Sequence, residues 1–217
     1  MNNINKGLFI TFEGPEGCGK TTQSKKLVSY LKEKGLKVIY TREPGGTEIG
    51  DKIRKILLDN ANKSMCAECE FFLYMANRAQ NVWENVKKVD EGYIVVCDRF
   101  MDATFAYQGY GRGLPLERII DINNFAIMGY VPDITFVLDV DVERGLHKAI
   151  NQDGKECTVK GIGDRIEQAG LEFHKRVKDG YFKLQKKFPD RIVIIKEGSI
   201  DFVFGQILEH LKKKFGL

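Results

Sequence analysis

The sequence of 217 residues lacks a long hydrophobic run. A helix that crosses a bilayer needs about 20 consecutive apolar residues, and no stretch of this chain approaches that length. Residues 1–14 also lack a secretory pattern, because one short apolar stretch leads directly into a glycine-rich loop. We therefore expect a cytoplasmic protein that does not bind a membrane.

An excess of either charge is missing too, since 34 lysines and arginines face 30 aspartates and glutamates and the net charge is +4. A protein that binds nucleic acid through its phosphates usually has a much stronger basic bias. The small positive charge suits anionic small molecules, so we expect substrates of that kind and no nucleic-acid partner.

The five cysteines do not indicate a disulfide framework, because their number is odd and no export signal accompanies them. Cys66 and Cys69 form a C-x-x-C pair. A zinc site would need a second pair of ligands, and no histidine stands at ligand spacing from Cys157. We expect small, partly buried thiols rather than a metal or redox centre.

Strand-like apolar runs alternate with amphipathic helical stretches along the whole chain. The runs lie at residues 8–12, 37–40, 93–97, 134–138 and 191–195. Apolar residues at three- and four-residue steps predict helices between them, with long ones at 67–89 and 164–188. The alternation predicts one α/β domain over residues 1–217, built on a five-stranded parallel sheet with helices on both faces. Residues 151–163 are polar and aperiodic, which predicts a short surface lid.

Residues 14–22, GPEGCGKTT, match the phosphate-binding pattern G-x-x-x-x-G-K-[ST] and are called the phosphate loop below. A predicted strand precedes them and a predicted helix follows, as the pattern requires. Glycines let backbone N–H groups approach phosphate oxygens, Lys20 adds a positive charge, and the Thr21 hydroxyl suits Mg²⁺. A chance glycine-rich turn is the alternative, but a nucleoside triphosphate site accounts for all of these features.

A second polar pair directly follows the apolar run 93–97. In parallel sheets, ligands bind at the carboxyl ends of the strands, where Asp98 and Arg99 stand. Asp98 suits Mg²⁺ or the orientation of an attacking group, and Arg99 suits a phosphate. A surface salt bridge is the alternative, and the phosphate loop upstream favours the functional interpretation.

Two helical stretches carry side chains that suit a nucleobase. Tyr74 and Arg78 are four residues apart, and Thr104 precedes Tyr107 and Gln108 by three and four, so each set shares a helix face. An aromatic ring stacks on a base, while Arg, Thr and Gln bond to its edge. Ordinary amphipathic packing produces the same spacing, so spacing alone leaves both interpretations open.

Together these motifs resemble the thymidylate kinase family of the bacterial type, among the P-loop nucleoside monophosphate kinases. The resemblance runs nearly from end to end. It is carried by FEGPEGCGKTTQ at 12–23, TREPGGTEIGDKIRKILL at 41–58, Tyr74 with Asn77 and Arg78, CDRFMDATFAYQGYGRGL at 97–114, PDITFVLDV at 132–140 and DRIEQAGLEFHKRVKDGY at 164–181.

The resemblance implies transfer of the γ-phosphoryl group of ATP to dTMP, giving ADP and dTDP, with Mg²⁺ as cofactor and a homodimer as the assembly. The implied ATP-binding residues are Gly14, Pro15, Glu16, Gly17, Cys18, Gly19, Lys20, Thr21 and Thr22. The implied dTMP-binding residues are Glu16, Glu43, Arg54, Tyr74, Arg78, Arg99, Thr104, Tyr107 and Gln108. Mg²⁺ is expected on Thr21 and Asp98.

Within the implied dTMP set, each part of the nucleotide has its own residues. Arg99 is expected to hold the 5′-phosphate, and Tyr107 to lie under the sugar and disfavour a 2′-hydroxyl. Tyr74 is expected to stack on thymine while Arg78 bonds one of its carbonyl groups.

The resemblance also implies the catalytic residues Lys20, Asp98, Arg99 and Arg165. Some relatives carry an arginine inside the phosphate loop, whereas this chain has Glu16, Gly17 and Cys18 there. A cation from the lid must then meet the transition-state charge. Lys155, Lys160 and Arg165 stay open as that cation, with Arg165 favoured.

Two other functions compete with this one. A kinase for another nucleoside monophosphate or for a nucleoside is the nearer alternative, although a nucleoside kinase has no need of Arg99 as a phosphate clamp. A nucleotide-switch module is the more distant alternative, and the D-x-x-G and N-K-x-D segments of such proteins are missing from the sequence.

Overall fold

The computed structural model describes residues 7–152 and 161–217. Within these ranges, five parallel strands form one sheet in the order β2-β3-β1-β4-β5. The strands are β1 Leu8–Glu13, β2 Val38–Arg42, β3 Ile94–Asp98, β4 Ile134–Leu138 and β5 Ile192–Ile195. This arrangement confirms the predicted α/β fold with a five-stranded parallel sheet.

Eight α-helices connect and cover these strands in the described part of the chain. They are α1 Lys20–Glu33, α2 Glu48–Leu58, α3 Ala67–Glu84, α4 Met101–Thr104, α5 Leu116–Ile127, α6 Val142–Ile150, α7 Leu171–Lys187 and α8 Ile200–Phe215. A π-helix, Phe105–Gly111, continues α4. Short 3-10 helices lie at Asn60–Asn62, Val86–Glu91 and Glu167–Ala169. None of the helices described here has the length and apolar character needed to span a bilayer.

Helices cover both faces of the sheet, which explains why the strands read as continuous apolar runs. Phe9 and Val95 point to one face and join a cluster with residues of α3, α5 and α7. Ile10 and Val96 point to the other face and pack against α1 and α8. With its flat faces covered, the sheet leaves the loops at the carboxyl ends of its strands to form a ligand site.

Three predicted helices have different boundaries in the structure. The stretch 67–89 splits into α3 and the 3-10 helix Val86–Glu91. In the stretch 164–188 the α-helix begins only at Leu171, because Gly170 has a φ of 89°, which is not a helical conformation. The predicted helical stretch that carries Thr104, Tyr107 and Gln108 extends as a π-helix to Gly111. Periodicity shows where apolar faces lie but does not show these interruptions.

Helix α7 approaches the π-helix closely through two glycines. A Cβ atom on Gly111 would lie 2.7 Å from the Phe173 ring, and one on Gly180 would lie 2.7 Å from Cδ2 of Tyr110. These contacts are shorter than van der Waals distances, so each position needs a residue without a side chain. The packing brings α7 beside the loops that follow β1 and β3.

This close approach predicts opposite effects for two glycines inside helices. Gly180→Ala in α7 is expected to lower the free energy of unfolding by about 1–3 kcal/mol, because the methyl group overpacks against Tyr110. Gly205→Ala in α8 is the matched control, since a Cβ there meets no atom within 4 Å. It is expected to stabilise by about 0.5–1 kcal/mol through helix propensity. Urea denaturation of both variants checks the pair, and equal shifts in one direction would contradict it.

Candidate active site

The phosphate loop connects β1 to the first residue of α1, as the sequence predicts. Gly17 has a φ of 67°, and a Cβ atom there would lie 1.9 Å from the carbonyl oxygen of Gly145 in α6. Gly19 has a φ of 92° and immediately precedes α1. The loop therefore turns its backbone toward the positive N-terminal end of α1, where an anion is stabilised.

Lys20 is held against the backbone of the phosphate loop. Its Nζ donates to the carbonyl oxygens of Pro15 at 2.7 Å and Gly14 at 3.2 Å, and the residue is only 7% exposed. The ammonium group therefore has a fixed position beside the backbone N–H groups of the loop, where a phosphate chain needs a cation.

Thr21 and Asp98 meet although 77 residues separate them in sequence. The Thr21 hydroxyl donates to Oδ2 of Asp98 at 2.5 Å. The contact follows from the sheet, because β1 and β3 are neighbours and Phe12 is in register with Asp98. In the described residues no group of three or more His, Cys, Asp and Glu side chains forms a ready-made metal site. One carboxylate with one hydroxyl does fit Mg²⁺, which takes its other ligands from water and phosphates.

Arg99 lies between the loops that follow β1 and β3. Its backbone has a φ of 69°, which is unusual for a residue with a side chain. Nη1 donates to the Gly14 carbonyl at 3.0 Å and to the Tyr181 hydroxyl at 3.2 Å. Nη2 donates to Oε1 of Glu16 at 2.8 Å and to the Tyr107 hydroxyl at 2.9 Å. The guanidinium group is thus anchored in one orientation.

The carboxyl group of Glu16 is ionised at neutral pH. Burial disfavours its charged form, but the Arg99 guanidinium and the Lys20 ammonium outweigh burial and hold its pKa well below the usual range. The Tyr107 hydroxyl donates to the same oxygen, Oε1, at 2.8 Å. Glu16, Arg99 and Tyr107 therefore form one connected unit.

Two cavities open at this unit. The phosphate cleft, of about 690 Å³, is lined by the phosphate loop together with Asp98, Lys25, Arg42 and Lys148. The inner pocket, of about 90 Å³, is lined by residues of α3, α4 and the π-helix. Five residues line both cavities: Glu16, Glu43, Arg54, Arg99 and Asp164. A molecule in the inner pocket and one in the phosphate cleft would meet at this shared wall.

The inner pocket brings together all nine residues that the sequence assigns to the second substrate. They are Glu16, Glu43, Arg54, Tyr74, Arg78, Arg99, Thr104, Tyr107 and Gln108. They come from three separate stretches of sequence beyond the phosphate loop. Only the fold brings these stretches together around one pocket.

Arg78 forms one wall of the inner pocket and is 1% exposed. Nε and Nη2 both reach Oε2 of Glu43, at 2.9 and 2.8 Å. Nη1 donates to Thr104 and Asn123 at 2.8 Å, and Nη2 also donates to the Phe100 carbonyl at 2.9 Å. A guanidinium group has five N–H bonds, and four of them donate to these oxygen atoms, while Nη2 also forms an ion pair with Glu43. Arg78 is therefore held in one orientation by protein partners, which leaves it little freedom to turn toward a ligand.

Glu70 fixes the orientation of Gln108 at the other wall. The Glu70 carboxylate is buried and can only accept, so the amide nitrogen of Gln108 must donate to it, at 2.9 Å. Arg112 and Arg165 pair with Glu70 at 3.0 and 2.7 Å. They outweigh the effect of its burial and lower its pKa. The carbonyl oxygen of Gln108 is then the atom left for a ligand.

Arg165 does not lie over the phosphate loop, contrary to the expectation for a catalytic lid cation. Its Nη1 pairs with Glu70, and its Nε donates to the Leu57 carbonyl at 2.8 Å. The residue is 7% exposed and lines neither cavity. It falls in a turn before the 3-10 helix Glu167–Ala169 rather than on a long helix, which directs its side chain inward. Lys155 and Lys160 lie outside the described residues.

Arg54 is another residue that the sequence predicts for the site. Arg54 lies at the shared wall of the two cavities and donates from Nη1 to the Pro44 carbonyl at 2.9 Å.

Cys66 and Cys69 are free thiols and are exposed, not partly buried as expected. They stand at the start of α3 on its solvent side, where nothing packs over them.

Sequence reasoning missed Glu13 and Tyr181, both adjacent to Arg99. Glu13 ends β1 and is fully buried, and burial together with the neighbouring Asp102 carboxylate raises its pKa to about 7. Burial and the nearby Glu13 likewise raise the pKa of the Tyr181 phenol well above its usual value. One signal was available, since Glu13 is an acid that ends an otherwise apolar strand. Tyr181 gives no such signal, because it occupies an ordinary core position of α7.

Comparisons with known proteins show consistent similarity to one family. A family model described as thymidylate kinase matches residues 12–207. A thymidylate kinase of Clostridium novyi is 44% identical over 211 residues, covering 96% of this chain and all of that protein. One of Geotalea daltonii is 50% identical over 199 residues, covering 89% and 90%. The crystal structure of thymidylate kinase from Ehrlichia chaffeensis superposes with a TM-score of 0.76 at 34% identity, covering 95% of this chain and 99% of that one.

The position of Arg165 predicts that this residue contributes to stability rather than to the chemical step. Arg165→Met is expected to lower the free energy of unfolding by about 2–4 kcal/mol, because buried Glu70 loses a partner. The turnover number at saturating substrates should fall less than about tenfold, a smaller loss than that expected of a catalytic cation. Urea denaturation and steady-state kinetics measure the two effects.

The matched control is Lys175→Met, which removes the exposed ion pair with Glu172 on α7 and should leave both quantities unchanged. A loss of several orders of magnitude in turnover, with unchanged stability, would restore Arg165 as the catalytic cation.

Proposed function

The chain belongs to the thymidylate kinase family and transfers the γ-phosphoryl group of ATP to dTMP, giving ADP and dTDP, and we propose that the transfer takes place at the wall shared by its two cavities. One observation carries this proposal. Glu16 and Arg99 line both the phosphate cleft and the inner pocket, so a donor phosphate and an acceptor phosphate meet at the same pair of side chains.

The phosphate cleft receives the triphosphate of ATP. Backbone N–H groups of the phosphate loop and the N-terminus of α1 face the phosphates, and Lys20 supplies the positive charge beside them. A further cavity of about 220 Å³ adjoins the cleft at Gly17 and Lys148 and is also lined by Cys18, Arg144 and Gly198. Its position on the far side of the phosphate loop suits the adenosine end of ATP.

Mg²⁺ is the cofactor in this proposal, held by the Thr21 hydroxyl and the Asp98 carboxylate. Both groups are hard oxygen ligands that already lie 2.5 Å apart. When bound, Mg²⁺ neutralises part of the phosphate charge. The two residues themselves fix where that charge is met, because neighbouring strands hold them in register.

The inner pocket receives dTMP, with its phosphate toward Arg99 and Arg54. Tyr107 lines the inner pocket beside Arg99, and its ring centroid lies 4.8 Å from the Arg99 guanidinium carbon. That position suits the deoxyribose and leaves little room for a 2′-hydroxyl. Tyr74, on the opposite wall, suits stacking on thymine.

Thymine selection follows from the fixed orientation of Gln108. Its carbonyl oxygen is the acceptor that remains for a ligand in the inner pocket, because the amide nitrogen donates to Glu70. Thymine and uracil carry a donor at N3, whereas cytosine carries an acceptor there and would oppose the Gln108 carbonyl. Arg78, anchored by Glu43, and Thr104 present donors that suit the O4 carbonyl through shared hydrogen bonds.

The chemical step needs positioning and charge neutralisation more than a base. The dTMP phosphate is largely a dianion near pH 7, since its second pKa is about 6, and it attacks the γ-phosphorus without losing a proton. Lys20 stabilises oxygens of the ATP phosphates and Arg99 those of the dTMP phosphate, so that the attacking oxygen, the γ-phosphorus and the leaving oxygen can lie in line. A lid cation, Lys155 or Lys160, is proposed to complete the charge, and Lys148 already lines the cleft.

We propose that the protein is a single domain over residues 1–217 and that it acts in the cytoplasm. A homodimer is supported by apolar side chains on α2 and α3, which pack beside each other. Phe72 and Trp83 share one face of α3 and are 57% and 60% exposed, and Ile49 and Ile56 on α2 are also exposed.

A panel of nucleotides tests the function. Purified protein with ATP and Mg²⁺ is expected to release ADP fastest with dTMP, more slowly with dUMP, and at least about 100-fold more slowly with dCMP, because the Gln108 carbonyl rejects cytosine. Coupled ADP release measures each rate. Lys20→Met is the control for contaminating kinases and should remove nearly all turnover without unfolding the protein. Faster use of dCMP or thymidine than of dTMP would overturn the proposal.

The assembly is tested with two charge substitutions on α3. Phe72→Glu together with Trp83→Glu is expected to convert a dimer into a monomer, because both charges enter the proposed contact. Analytical ultracentrifugation measures the mass of each form. Phe202→Glu is the matched control, since Phe202 is 53% exposed on α8, on the opposite face of the sheet. A wild-type monomer, or dissociation by the control alone, would contradict the proposed dimer.

A further inference from the structure

Glu13 is a fully buried carboxyl group with three protein donors. Its Oε1 accepts from the backbone N–H groups of Phe100 at 2.7 Å and Ala103 at 3.2 Å. Its Oε2 accepts from the Tyr181 hydroxyl at 2.8 Å. Burying a carboxylate costs free energy unless such partners compensate. The position needs an explanation, because an apolar residue would continue β1 at no such cost.

The first two donors fix the backbone next to Arg99. Phe100 directly follows Arg99, and the N–H of Arg99 itself donates to the Phe12 carbonyl at 2.9 Å. The backbone on either side of the left-handed residue is therefore bonded to consecutive residues of β1. A left-handed conformation costs about 1–2 kcal/mol for a residue with a Cβ atom, and these bonds hold the chain in it.

The third donor reaches the side chain of Arg99. The Tyr181 hydroxyl has one proton, and when Glu13 is ionised this proton is donated in the hydrogen bond to Oε2 of Glu13. The phenol oxygen must then present its lone pairs to Nη1 of Arg99, which donates to it at 3.2 Å. The hydrogen bond to Glu13 thus determines whether the Tyr181 oxygen accepts a hydrogen bond from Arg99 or points its own proton toward the guanidinium group.

We infer that Glu13 and Tyr181 are positioning residues for the reaction, which hold the Arg99 guanidinium in the direction that the phosphate of dTMP requires. The inference rests on the proposed function, in which Arg99 binds that phosphate. Neither residue lines the inner pocket or the phosphate cleft, so both act through Arg99. A purely structural role for the pair would affect stability and leave the two substrates equally affected.

A double-mutant cycle separates these roles. Tyr181→Phe removes one oxygen and is expected to raise the KM for dTMP about tenfold, while the KM for ATP changes less than twofold and kcat falls less than threefold. In an Arg99→Lys background, the same substitution should change the KM for dTMP less than twofold, because the group being positioned is gone. Additive effects across the cycle would overturn the inference.

Glu13→Gln gives a second, independent measurement. The amide keeps the size of the side chain and the acceptor for Phe100 and Ala103, but its nitrogen donates to Tyr181 and leaves the phenol proton without its acceptor. The KM for dTMP is therefore expected to rise in the same direction as in Tyr181→Phe. An unchanged KM for dTMP in Glu13→Gln would contradict the inference.

Tyr130→Phe is the matched control, because it breaks another phenol–carboxylate bond, to Asp90, at the opposite end of the sheet. It should leave both KM values unchanged, and a selective rise in the KM for dTMP there would also overturn the inference. Failure of the wild-type protein to phosphorylate dTMP would instead overturn the proposed function, so the two hypotheses fail separately.

Discussion

The ion pair between Glu16 and Arg99 joins two loops that lie 83 residues apart in the sequence. The first loop follows β1 and the second follows β3, and the two strands are neighbours in the sheet. The pair therefore exists only because the sheet order brings these carboxyl ends together. Both of its residues line both cavities, and Tyr107 of the π-helix and Tyr181 of α7 accept further hydrogen bonds from Arg99. Besides this pair, the phosphate cleft and the inner pocket share only Glu43, Arg54 and Asp164 among the described residues.

The sequence predicts the fold well, because the three central strands, β1, β3 and β4, are buried on both faces and read as apolar runs. It also predicts the two positions that define the chemistry, the phosphate loop and the Asp98–Arg99 pair, since both directly follow such runs. The contact between Thr21 and Asp98 then follows from strand register alone. These predictions depend on local pattern and on one general property of parallel sheets, that ligands bind at their carboxyl ends.

Partners contributed by distant helices could not be predicted in this way. Spacing places Arg78 on a pocket wall, but its hydrogen bonds to Glu43, Thr104, Asn123 and Phe100 depend on how three other segments pack around it. The contacts of Arg165 could not be predicted for a related reason. A continuous helix would direct its side chain along the predicted lid, whereas Gly170 breaks the helix and the preceding turn directs Arg165 to Glu70. Periodicity carries no information about either event.

Arg99 donates to four protein oxygens, those of Gly14, Tyr181, Glu16 and Tyr107, so its rotamer is already chosen before a nucleotide arrives. A free arginine on a surface must give up side-chain entropy to grip a phosphate, at a cost of about 0.5–1.5 kcal/mol. Here folding has met that cost. Calorimetry of dTMP binding should therefore reveal an entropy that is less unfavourable than ordering a long cationic side chain implies, and the affinity of the site belongs in part to the stability of the fold.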